Sequence, residues 1–324
     1  MSKCCYLHKK VLILPKRSIA LIVIYFFAVH AFAQQAGIDS FRMEDVKITI
    51  DAPSKRTTKA PAILIIYALP NGNTTEQTMG KKTAPGEDWH FNIQHIRAQT
   101  KYLRSVLPHQ RIYVAYLENN HKSWPLWKRN HPDFVQRIPH IIDTVRSMVN
   151  KGNNTVYLNG HSGGGSFIFG LLDSYPSVPE YIERISFLDS NYGYDSAHSI
   201  KLAHWLQSNK QNALNVFAYN DSVALYNDKP IVSAKGGTWY KSRQMMRDLG
   251  SRYAFREMRN DSLLIYKNET GKVWFFLKTN PERKIFHTQQ VEYNGFIHSI
   301  LCGTALDSKG YKYYEGRVYE GLIE

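Results

Sequence analysis

Five short stretches of this chain are apolar with at most one interruption, and they dictate most of what it can fold into. They are Ala62-Ile63-Leu64-Ile65-Ile66-Tyr67, Ile112-Tyr113-Val114-Ala115-Tyr116-Leu117, Val156-Tyr157-Leu158, Ile185-Ser186-Phe187-Leu188 and Val216-Phe217-Ala218-Tyr219. A strand with one wet face alternates polar and apolar residues. A strand that does not alternate is buried on both faces, as in a parallel sheet covered by helices. The segments between the runs carry helical spacing. Residues 88–107 place Ile93, Ile96, Leu103, Val106 and Leu107 on one face before Pro108 stops them, and Val135, Ile138, Ile141, Ile142, Val145 and Val149 mark a second amphipathic helix. Further helices are expected at 167–172, 199–206 and 238–249. A strand is expected at 46–50, and a hairpin joins 263–266 to 273–277. Residues 34–45 read as a mobile start, 118–133 as a loop and 222–237 as a long loop. The pattern predicts one α/β domain over 46–324, with a mainly parallel sheet and helices on both faces.

The first 33 residues read differently. Lys9, Lys10, Lys16 and Arg17 precede an apolar run from Ile19 to Phe32 that only His30 interrupts, and Ala31-Phe32-Ala33 has the small-residue pattern of a cleavage site. This is a secretory signal by pattern, with cleavage expected after Ala33 and a periplasmic or secreted product without stable membrane insertion. Cys4 and Cys5 lie in that segment, so Cys302 alone remains and no internal disulfide is expected. Cleavage lowers the net charge from +14 to +9, because it removes five Lys/Arg and no acids. The remaining basic residues are scattered among acids and aromatics, which argues against nucleic-acid binding.

The chemistry concentrates where the third apolar run ends, at Gly160-His161-Ser162-Gly163-Gly164. A G-x-S-x-G between strand and helix forces the serine into a tight turn and projects its hydroxyl beyond the sheet. The N–H of Gly163, at the start of the helix, faces the place where an oxyanion would form. Serine needs a base, and the base needs an acid to orient it. The expected base is His298, which follows the turn-permitting Gly295, with His287 as its competitor. Asp189 ends the fourth run and Asp221 follows the fifth. Asp189 is the leading acid and Asp221 the alternative, because a carboxylate directly after an apolar strand is costly to leave unpaired. The second oxyanion donor is expected from the loop after the first run, from the N–H of Asn73 or next of Gly72.

Asn71-Gly72, the serine turn, Asp189 or Asp221, and His298 occur in that order on alternating strands and helices. This arrangement resembles the α/β-hydrolase superfamily over roughly residues 46–305. The resemblance implies an eight-stranded, mostly parallel sheet, no cofactor, and acyl hydrolysis through a covalent intermediate. Ser162 would be the nucleophile, His298 the base, and Gly163 with Asn73 the oxyanion hole. Two departures stand out: Asn71-Gly72 replaces the usual His-Gly, and two aspartates compete for one role. Trp89-His90-Phe91 and Gly236-Gly237-Thr238-Trp239 are similar to a secreted bacterial subgroup. Trp124 and Trp127 are expected to form an aromatic substrate rim, and Trp239 a pocket wall. No metal-ligand spacing is present in the sequence. The sequence therefore predicts an exported serine esterase acting on a small-molecule or carbohydrate ester. A peptidase or amidase of the same architecture and a non-catalytic binding protein are the alternatives.

Overall fold

A computed structural model describes residues 37–54 and 62–324. The expected signal segment and its cleavage site lie outside the described residues. The uninterrupted runs do become strands buried on both sides. In chain order the strands are β1 (Ile38–Met43), β2 (Val46–Asp51), β3 (Ala62–Ala68), β4 (Arg111–Asn119), β5 (Asn154–His161), β6 (Ile182–Leu188) and β7 (Ala213–Tyr219). A small hairpin, β8 (Leu225–Tyr226) and β9 (Lys229–Pro230), is followed by β10 (Phe255–Asn260), β11 (Leu263–Asn268) and β12 (Val273–Lys278). Apart from that hairpin, all ten strands form one sheet in the order β1-β2-β4-β3-β5-β6-β7-β12-β11-β10. From β4 to β12 neighbours run parallel, and an antiparallel pair closes each edge. The sheet exceeds the expected eight strands. The expected hairpin at 263–277 is present, and β10 lengthens that end. Residues 38–43, read from sequence as a mobile start, pair residue for residue with 46–51 as β1.

The helices are α1 (Thr75–Met79), α2 (Ile96–Val106), α3 (Trp124–Asn130), α4 (Phe134–Met148), α5 (Gly165–Ser174), α6 (Ser196–Ser208), α7 (Thr238–Leu249), α8 (Gln289–Glu292) and α9 (Gly295–Leu301). The side-chain period of two sorts each strand between two cores. Leu64 and Ile66 of β3 join the core under α3 to α7, whereas Ile65 and Tyr67 join the core under α2 and α9. Helix α2 starts eight residues later than predicted, because residues 89–92 form a separate 3-10 turn capped by Asp88. Among the described residues no helix is long and apolar enough to cross a membrane.

The order β4-β3-β5 is the point where successive crossovers turn to opposite sides. A crevice therefore opens beyond the carboxyl ends of β3 and β5. The serine turn and the loop after β3 meet there.

Candidate active site

Strand β5 runs directly into the serine turn. Ser162 has φ 53°, a left-handed conformation costly for a side-chain-bearing residue, and a 3-10 turn over Ser162–Gly164 leads into α5. Two glycines make the bend possible through close approach. A Cβ on Gly165 would overlap the carbonyl oxygen of Ser190, in the loop beyond β6. A Cβ on Gly163 would overlap the side-chain amide of Asn71, in the loop beyond β3. The turn is thus wedged between the loops of both neighbouring strands. Ser162 itself stays half-exposed.

Strand β6 delivers Asp189, also strained at φ 46° and fully buried. Its backbone N–H donates to the Phe217 carbonyl of β7 at 2.8 Å, which fixes the turn. A carboxylate removed from water requires a donor. It finds His287 Nδ1, which lies 2.5 Å from Asp189 Oδ2. His287 sits on the loop between β12 and α8 with its side chain 24% exposed. A proton held on Nδ1 by the carboxylate leaves Nε2 as an acceptor. His161, next to the serine, holds the same loop: its Nε2–H donates to the His287 carbonyl oxygen at 3.2 Å, and the two rings lie 4.5 Å apart. Burial, and secondarily the proximity of His287, push the pKa of His161 well below the ordinary imidazole value, so it is neutral.

Asp221 follows β7 but turns away from the imidazoles. Its carboxylate caps α7, accepting from Thr238 N–H at 2.7 Å and from Trp239 N–H at 3.3 Å. Thr238 is the first residue of α7, and the carboxylate that caps the helix arrives from the end of another strand. The Thr238 hydroxyl donates to Asp189 Oδ1 and also lies 3.2 Å from Asp221 Oδ2. Burial, and then the Asp189 charge, raise the Asp221 carboxyl to about 6.

A cavity of about 800 Å³ opens beside Ser162, and its wall includes Gly163, Asn71 and His287. Tyr192, Tyr219 and the β8–β9 hairpin complete it. Several expected site residues are elsewhere. His298 lies on α9, 3% exposed, in the core on the opposite side of the sheet from α5. Its ring stacks on Tyr313 and meets Phe276 edge-on, and Nδ1 lies 2.9 Å from the Tyr311 hydroxyl. It borders a different cavity, with Asp307 and Trp274, and the histidine that lines the cavity of Ser162 is His287. Gly72 N–H is occupied by the Lys122 carbonyl at 2.8 Å, and Asn73 N–H closes a turn onto Pro70 O at 3.5 Å. The residue of this loop beside Ser162 is Asn71. Trp124 and Trp127 are each 1% exposed and form core beneath α5, because an indole pair buries more apolar area there than any rim position allows. Only Pro125 between them reaches the cavity. Trp239 packs against the same core, with Arg243 over its ring, rather than forming the cavity wall.

The sequence signals for the newly placed residues were thin. His287 is the first histidine after the last parallel strand, and Asn71 lies three residues beyond the end of β3.

No family model matches the chain, and no curated protein matches it. The solved structures it is similar to are distant. A thermostable esterase is 13% identical with a TM-score of 0.48, covering 82% of this chain and 62% of the other. An uncharacterised protein from Capnocytophaga ochracea is 11% identical with a TM-score of 0.42, covering 81% and 63%. A siderophore hydrolase from Aspergillus nidulans is 11% identical with a TM-score of 0.41, covering 82% and 95%. The chain thus spans less than two thirds of the length of the first two structures. Likenesses this distant assign neither substrate nor chemistry, which have to come from the residues of this chain.

Proposed function

We propose that this protein is a serine hydrolase cleaving carboxylic esters, with Ser162 as nucleophile, His287 as general base and Asp189 as the acid that orients it. The observation that carries this reading is the His287–Asp189 pair, 2.5 Å apart, on the rim of the cavity that holds a serine at φ 53°. Oγ of Ser162 attacks the ester carbonyl while His287 Nε2 takes its proton. Buried Asp189 holds the tautomer and stabilises the imidazolium that forms. The negative charge on the carbonyl oxygen is met by the Gly163 N–H, supported by the dipole of α5 and by a donor from Asn71. The tetrahedral adduct collapses as His287 returns the proton to the leaving alkoxide. Water then repeats the sequence on the acyl-enzyme, with the same histidine as base.

An ester is the substrate class that asks least of the leaving group. An amide would use the same residues, with the protonated imidazole delivering its proton to a poorer leaving nitrogen. The test is fluorophosphonate labelling of wild type, Ser162→Ala and His287→Ala, beside turnover of p-nitrophenyl acetate and an aminoacyl-anilide. Labelling that survives Ser162→Ala overturns the reading, and turnover of the anilide alone moves it to an amidase. We propose export as well; mass spectrometry of the mature chain tests it, with Gln34 expected at the amino terminus.

A further inference from the structure

The two carboxylates that compete in the sequence are joined in the fold by one hydroxyl, and the protons around them do not go round. Asp189 Oδ2 takes the His287 Nδ1 proton and Asp189 Oδ1 takes the Thr238 hydroxyl proton. Asp221 takes the two amide protons of α7. Thr238 has only one hydroxyl proton. With that proton on Asp189, a lone pair of its oxygen faces Asp221 Oδ2 across 3.2 Å. Two facing lone pairs in a buried site need a proton between them, and a protonated Asp221 supplies one.

We infer that Asp221, acting through the Thr238 hydroxyl, is a positioning residue that sets how strongly Asp189 holds the proton of His287. The inference rests on the proposed serine-hydrolase reading. When Asp221 is neutral, donors run in one direction, from Asp221 to Thr238 to Asp189. When it is ionised, it competes for the Thr238 proton and places a second negative charge behind the imidazole. The surroundings leave this balance undisturbed. Asp189 follows β6, Tyr192 lies in the following turn and Tyr219 ends β7, and burial raises these two phenols and those of Tyr313 and Tyr314, so that all four stay neutral. Neighbouring cations point elsewhere: Lys241 Nζ donates to the Tyr194 carbonyl, Lys278 Nζ to Thr279 and Arg283 Nε to Val223. The raised carboxyl of Asp221 places its ionisation near 6, inside the working range of an imidazole base.

Asp221→Asn fixes the neutral state and keeps a donor for the Thr238 hydroxyl, while giving up the acceptor that Oδ2 offers the Thr238 N–H. The acid limb of kcat/KM on p-nitrophenyl acetate is expected to move to lower pH by roughly 0.5–1, because one anion no longer favours the imidazolium. Plateau kcat is expected to fall by roughly 2- to 10-fold as the oriented imidazolium loses part of its stabilisation. Thr238→Val should shift the limb as well, and Thr238→Ser should restore the wild-type profile. The downfield proton resonance of His287 Nδ1, followed against pH, should carry an inflection near pH 6 that Asp221→Asn abolishes. If Asp221→Asn fails to fold, as judged by thermal melting, the Thr238 pair carries the same readouts. Profiles superimposable on wild type and an unchanged resonance overturn the coupling while Ser162→Ala and His287→Ala remain dead. Full turnover in those two variants overturns the hydrolase reading instead.

Discussion

His287 and His298 are eleven positions apart in sequence and serve opposite ends. Each borders a cavity and each has an oxygen within reach of Nδ1. His287 stands on a loop at the carboxyl edge of the sheet, with a fully buried carboxylate behind it and one ring edge toward the serine's cavity. His298 rides on a helix inside an aromatic core, with a phenol as its partner. Burial depresses its pKa to about 4, so it stays neutral where a base must accept a proton. A buried carboxylate orients the one ring toward the cavity, and an aromatic shell makes the other a packing group.

The sharpest way to break this contrast is by substitution. Ser162→Ala and His287→Ala should each lower kcat by roughly 10⁵- to 10⁶-fold, the usual cost of removing either member of such a pair. His298→Phe should leave kcat within about tenfold of wild type, since it removes no group near the reacting atoms. The reverse pattern in p-nitrophenyl acetate assays would restore His298 as base. Next in size, Asp189→Asn should cost roughly 10⁴-fold in kcat, because the amide favours the wrong tautomer of His287. Asp221→Asn, which caps α7 instead, should cost far less. A smaller effect separates core from rim: Trp124→Ala should destabilise the fold by about 3–5 kcal/mol in urea unfolding. KM should hardly change, and a large rise in KM with unchanged stability would return Trp124 to the substrate.

The smallest expected effect is on acid stability. The depressed pKa of His298 means that folding favours its neutral form, so its contribution is complete above the unfolded value of 6.5 and is lost as pH falls toward 4. The loss amounts to roughly 3 kcal/mol across that window. Burial and the nearby Arg317 lower His95 in the same direction. Urea midpoints at pH 7 and pH 4.5 should diverge less in His298→Phe than in wild type. Equal divergence in both would show that the ring is not the depressed group.

What was legible in the sequence was local or doubly buried. The strands β3 to β7 announce themselves because both faces are dry and no polar alternation dilutes them. The serine turn is legible because strand, G-x-S-x-G and helix follow one another within a few residues, although the contacts its glycines answer to, at Asn71 and Ser190, are distant in sequence. His287 was not, since Ile285-Phe286-His287 has the composition of a strand; in the fold Ile285 is 45% exposed on a loop at the cavity. Gly295, a turn residue by type, opens a helix rather than a loop and so carries His298 into the core. The Trp124–Trp127 pair misled for a related reason. Among basic residues it resembles a surface cluster, but Ser123 caps a helix there and turns both indoles inward. Residues 38–43 alternate too weakly to read as strand, and pairing with β2 overrides their propensity.

The contact of Gly165 with the carbonyl of Ser190 has a consequence for anyone reshaping this protein. The turns that carry Ser162 and Asp189 are registered to each other by bare backbone, with no side chain as spacer. Exchanging the segment after β6 for a foreign one would therefore shift the serine as well as the aspartate. A graft succeeds only if the incoming main chain passes the same hydrogen atom on the Gly165 α-carbon at the same height.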